Sequence, residues 1–284
     1  MKKTIAGILM VLVCAGVVNA GVSYSAVTRE KDAQGREKEV SKMRVVVDGL
    51  DARIDVAAHS GPIPNGGYLV TRDGAETVTM VDPGTRTYTR WDIDKLAGMA
   101  NSIMQGSGGL LNMSLINHKN DKVLDEVGPE ILGIPTRHYK FLANYTMGMN
   151  VMGFKQTSEI VTQQEIWTGQ GLADDATVLW KRVISLKTGI EDIDRLLSTE
   201  TGKVEGFPLK TIVISRTTDH RGRQKTSETV TEVTEIKKFT PKKSAFEIPD
   251  GYTEEEMAIP GIMGGGSGND PAAALNGLLK SFGR

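Results

Sequence analysis

The sequence predicts a mainly β protein, α+β in the broad sense, with two helices set into a run of strands. Three observations predict this. From Val22 to about Tyr252, β-branched residues alternate with polar ones over most of the chain. Turn chemistry interrupts that alternation at short intervals, at Asp48-Gly49, Asp73-Gly74, Asp82-Pro83-Gly84 and Arg221-Gly222. Helical spacing of apolar residues is confined to short stretches.

The first element is a leader. "MKKTIAGILMVLVCAGVVNA" has two lysines, an uncharged run from Thr4 and small residues at its end, the order of a secretory signal. With cleavage between Ala20 and Gly21, Val18 and Ala20 occupy the two positions that the peptidase reads. No second apolar run of about 20 residues follows, so no transmembrane span is expected in the mature chain, which is expected to be periplasmic or secreted. Cys14 is the single cysteine; Val13 before it departs from a lipid-attachment signal, so Cys14 reads as ordinary leader packing. The mature chain then has no cysteine, which excludes disulfides, thiolate catalysis and cysteine-based zinc sites.

The strands follow in order. "KMRVVVDGLDARIDV" reads as two strands around an Asp-Gly turn. "GGYLVTRDGAETVTMVDPGTRTYTRW" reads as three strands around two more turns, and "LKTIVISRTTDHRGRQKTSETVTEVTEIKKF" as a long hairpin. Together they predict one continuous antiparallel sheet. A helix is predicted at "DIDKLAGMANSIMQG", where Ile93, Leu96, Ala97, Ala100, Ile103 and Met104 fall on one face behind Asp92 as N-cap. A second, "TGIEDIDRLLSTETG", puts Ile190, Ile193 and Leu197 together and ends near Gly202. Both apolar stripes are expected to pack on the sheet. The chain is thus divided into a leader at 1–20, a β domain with helical insertions at 21–257, and a glycine-rich linker with a short amphipathic helix at 258–284, where Leu275, Leu278, Leu279 and Phe282 fall at helical spacing.

Chemistry-bearing motifs are sparse. His59, His118, His138 and His220 are far apart and form no HExxH pair, so no metal site is expected. No nucleophile elbow, phosphate loop or dinucleotide fingerprint occurs, and no catalytic residue or cofactor is expected. A net charge of −1 supplies no basic field for nucleic acid. The densest cluster of reactive side chains is "ILGIPTRHYKF", residues 131 to 141. Strand alternation puts Thr136, His138 and Lys140 on one face and Arg137, Tyr139 and Phe141 on the other, with Gly133 and Pro135 marking the turn into the strand. The burial candidates are Tyr139 and Phe141, and His138 has no orienting partner visible in the sequence.

Five stretches, "MVDPGTRTYTRWD", "ILGIPTRHYKF", "QEIWTGQGL", "GFPLKTIVIS" and "FEIPDGY", together resemble a domain-of-unknown-function family of exported bacterial proteins, and through it the Lol-system lipoprotein carriers. The pattern rests on Gly133 with Tyr139, Trp167, Gly206 with Pro208 to Lys210, and Phe246 with Tyr252. The resemblance implies an incomplete antiparallel β-barrel, a half-barrel of Lol-carrier type, with covering helices over an apolar concavity. The helix-containing insert between Trp91 and Asp125 and the glycine-rich tail depart from the carriers.

The function expected is a non-catalytic periplasmic protein binding an apolar or acylated ligand, a lipid or an acylated protein. The expected apolar lid and lining are Leu96, Ala100, Ile103 and Met104, with the methionines Met147, Met149 and Met152 of "YTMGMNVMGF". The alternative is a structural or interaction protein of the cell envelope without an accessible cavity, meeting a partner through residues 271–283. An enzyme ranks third and would need a histidine and a carboxylate brought together in a cleft.

Overall fold

A computed structural model describes residues 21–31, 35–59, 63–64, 66–93, 95, 111–151, 154–169, 177 and 204–256. The strands are β1 (Val22–Lys31), β2 (Glu37–Asp48), β3 (Asp51–His59), β4 (Tyr68–Thr71), β5 (Thr77–Asp82), β6 (Thr87–Asp92), β7 (Leu111–Ile131), β8 (Ile134–Val151), β9 (Phe154–Gly169), β10 (Phe207–Asp219), β11 (Gln224–Lys238) and β12 (Thr253–Glu254). They form one sheet in the order β12-β6-β5-β4-β3-β2-β1-β11-β10-β9-β8-β7. Two antiparallel meanders, β1 to β6 and β7 to β11, are joined where β1 pairs with β11 and Val22 faces Lys238. Among the described strands, only β12 runs parallel to its neighbour, β6.

The chain is therefore mainly β, as the alternation predicts, and the hairpins fall where the Asp-Gly and Arg-Gly turns place them. Two finer expectations, the Lol-carrier type and the covering helices, gain no support. The sheet is open, as an incomplete barrel would be: β12 and β7 stand at opposite ends of the order and do not pair with each other, so the described strands close no barrel. The covering helices also go unsupported, because among the described residues the complete helical element is a single 3-10 turn, Lys243–Phe246. The Asp92 carboxylate does accept the Lys95 amide at 3.0 Å, the geometry of an N-cap. Beyond that, both predicted helices and the tail lie outside the described residues.

The insert between Trp91 and Asp125 also differs from expectation, since β7 occupies it from Leu111 onward. Its polar sequence hides a strand because three register shifts break the alternation, at Ile116/Lys119, Lys122/Leu124 and Gly128/Ile131. Bulges, charges and Pro129 on a strand at the sheet's end hinder further strand addition there. At the β7–β8 turn, Leu132 and Gly133 both have positive φ, 54° and 73°, the backbone of a tight hairpin turn. Pro135, which lacks an N–H, sits beside the last of those register shifts.

The two faces of the sheet differ in chemistry. One buries Val22, Tyr24, Ala26, Phe207, Leu209 and Val233, then Val45, Val47, Ala52 and Ala75 toward β3, and Tyr139, Phe141, Ile166 and Val204 toward β8. Tyr24 meets the edge of Phe207 at 4.9 Å, and burial pushes its phenol up to about 12. On the opposite face, Val46, Tyr68, Val70 and Val81 of β2 to β5 are covered by Phe246 of the 3-10 turn, and Val27 of β1 is buried as well. Arg53 lies 3.6 Å over the Tyr68 ring and extends that cover.

Candidate functional site

On the second face, from β7 to β1, the register lines up a row of polar and aromatic side chains. His138 faces Trp167, Trp167 faces Lys210, and Lys210 faces Glu232. The His138 and Trp167 rings stack at 4.2 Å with 8° between their planes. His138 Nε2 lies 3.1 Å from Glu165, and Nδ1 lies 3.6 Å from Glu126 on β7. Lys140 at 3.2 Å and the Gln163 amide at 3.0 Å hold the other Glu165 oxygen. Farther along, Lys210 at 2.7 Å and Arg29 at 3.1 Å share Glu232.

This is the histidine–carboxylate pair that the sequence left unseen, since Glu165 is brought to His138 only by the pairing of β8 with β9. His138 Nε2 is within hydrogen-bond reach of Glu165, whereas Nδ1, 3.6 Å from the more exposed Glu126, is beyond hydrogen-bond distance of it, and the cluster contributes nothing to the cleft described below. Among the described residues no group of three histidine or carboxylate side chains is placed to hold a metal ion. The row ties strands together across the face.

Its titration has a definite sign. Burial raises the Glu165 carboxyl, but Lys140 and then His138 outweigh that and bring it below the ordinary glutamate range. Glu232 is lowered first by the Lys210 hydrogen bond, against burial, with Arg29 adding to it. A carboxylate with a depressed folded-state pKa stabilises above its unfolded value of about 4.3, and that contribution is lost as pH falls through the folded value. Urea unfolding should therefore show wild-type stability dropping between about pH 4.5 and pH 3. Glu165→Gln and Glu232→Gln should each flatten that drop by about 1 kcal/mol or less, as expected for partly exposed pairs. An unchanged slope in both variants would show that the row is electrostatically idle.

The first face carries the apolar candidate site. Alternation along β8, uninterrupted in its register with β9, puts Tyr139, Phe141, Tyr145 and Met147 on one side. Tyr139 and Phe141 are buried, Ile166 opposite Tyr139 and Ile160 opposite Tyr145 are buried on β9 with Gln164 and Thr162 between them, and Met147 is half-buried farther out. At the β7 edge, Asp125 pairs with Lys122 and Arg137, whose cationic groups lie 5.6 and 5.9 Å from the Tyr139 ring centre. Of the residues expected to line a ligand site, Met147 is the one whose side chain the structure describes. Leu96, Ala100, Ile103, Met104, Met152 and the Met149 side chain lie outside the described residues.

With the geometry in hand, comparison with known proteins adds one family match. Residues 148–252 match a family described as a domain of unknown function, DUF4412. That span holds three of the five recognised stretches, from Trp167 through Gly206 to Tyr252, consistent with an uncharacterised family, while the likeness to lipoprotein carriers gains no support. No curated protein matches the chain. Among solved structures, two crystal forms of PNGF-II align at 12% and 10% identity with TM-scores of 0.33 and 0.29, covering 84% and 83% of this chain. The aligned region spans 31% of the PNGF-II chain in each case. No described helix is long and apolar enough to cross a membrane.

Proposed function

We propose that the chain is an exported, non-catalytic binding protein that takes an apolar or acylated ligand on the apolar face of its open sheet. One observation carries the reading: Tyr139 and Phe141 of β8 and Ile166 of β9 form a buried apolar cluster on that face, and Ile160, Tyr145 and Met147 continue it outward past the polar Gln164 and Thr162 of β9. Methionine and aromatic side chains at the outer end of such a stripe suit a ligand of variable shape. The secretory leader supports a periplasmic or extracellular setting.

Native mass spectrometry of protein purified from the periplasm should detect co-purified lipid, and the delipidated protein should take up a fluorescent fatty acid. Met147→Glu should weaken uptake about ten-fold while leaving the circular dichroism spectrum unchanged, because it places a charge in the acyl path at a half-buried position. A protein that is empty as isolated and refuses the probe would sink the reading. An envelope interaction protein would then be the better account.

A further inference from the structure

We propose that a cleft at the β4–β5 end of the sheet binds a small zwitterion with an apolar body, of the class of the aliphatic α-amino acids. The cleft encloses about 380 Å³ beside the 3-10 turn. Arg72, Arg90 and Glu247 line it together with Thr79, and Val70 and Ile248 supply apolar wall.

Its charges are unequally engaged. Asp73 also lines the cleft, but its two oxygens take the Thr71 hydroxyl at 2.9 Å and the Thr77 amide at 3.0 Å, so it is engaged in building the turn. Burial raises that carboxyl, yet these hydrogen bonds bring it down overall and keep it ionised. Arg90 is loosely held, 3.6 Å from Glu254 and 5.2 Å from the Tyr88 ring centre. Among the described residues the Arg72 guanidinium and the Glu247 carboxylate have no hydrogen bond or ion pair.

An unengaged cation, a loosely held second cation and an unengaged anion around one cleft match a ligand carrying both charges. A carboxylate between Arg72 and Arg90 gains charge-assisted bonds from planar donors that fit it. An ammonium answers Glu247, and a branched aliphatic side chain fits against Val70 and Ile248. A simple anion would leave Glu247 facing it unpaired, which selects against phosphate or a fatty acid at this place. This site is separate from the apolar face, so either reading can fail without the other.

The test is calorimetric titration of the folded protein with L-leucine, N-acetyl-L-leucine and L-leucinamide. Leucine should bind with a dissociation constant of about 1 mM or tighter, the range open to a ligand of so few atoms. Each analogue lacks one charge and should bind at least about ten-fold more weakly. Arg72→Ala and Glu247→Gln should each weaken leucine about ten-fold with the circular dichroism spectrum unchanged, since both side chains are exposed. Absence of binding up to about 10 mM leucine, an analogue that binds as tightly as leucine, or variants that bind like wild type would overturn the proposal.

Discussion

Tyr139→Ala should lower the folding free energy by about 3–5 kcal/mol, while His138→Ala, one residue away, should cost no more than about 1.5 kcal/mol. Tyr139 is 2% exposed and packs with Phe141, Ile166 and Val204, so removing its ring opens a cavity that strands on both sides cannot close. His138 lies on the other face. Its losses are the stack on Trp167 and two contacts with partly exposed carboxylates, which are screened by water. Urea unfolding of the two variants, followed by far-ultraviolet circular dichroism, measures the difference. Equal losses would mean that the division of this strand between two faces is wrong.

Gly206→Val should cost about 3 kcal/mol or more. Gly206 has φ of +86°, a conformation that a β-branched residue adopts only under strain. A Cβ there would also stand 2.6 Å from the Gly169 carbonyl oxygen and 3.2 Å from the Thr168 Cβ. Both neighbours are buried strand, Thr168 at 0% exposure, so neither can move away cheaply. Gly222→Val makes the control. It shares the positive φ, 76°, but nothing lies within 4 Å of its Cβ position, so strain alone should give a smaller loss. Thermal unfolding of the pair separates the clash from the backbone term, and matching losses would refute the clash.

The strands that were legible are those whose neighbours in sequence are also their neighbours in space. Alternation in "TRHYKF" assigned Tyr139 and Phe141 to the buried side correctly because a strand points successive side chains to opposite faces whatever it pairs with. Asp-Gly turns placed β2 against β3 for a similarly local reason. β7 escaped notice because Asn117 with positive φ and three register shifts spoil its period, and because a strand at a sheet's end gains by being charged.

The candidate sites were far less legible. Glu165 is 27 residues from His138, and Arg29 is 203 from Glu232, so neither partnership has any sequence signature. Arg72 and Glu247 meet around one cleft only because the segment after β11 returns across β4 and β5.

By itself, then, the sequence determined the strand character, the hairpin turns and the buried side of β8, all consequences of backbone geometry acting over a few residues. Tertiary structure alone decided that β1 pairs with β11, that the sheet stays open, and that His138 is held between two carboxylates. Those features depend on which distant strands hydrogen-bond, and backbone hydrogen bonds are alike in every strand. Burial of the whole apolar face selects the partner.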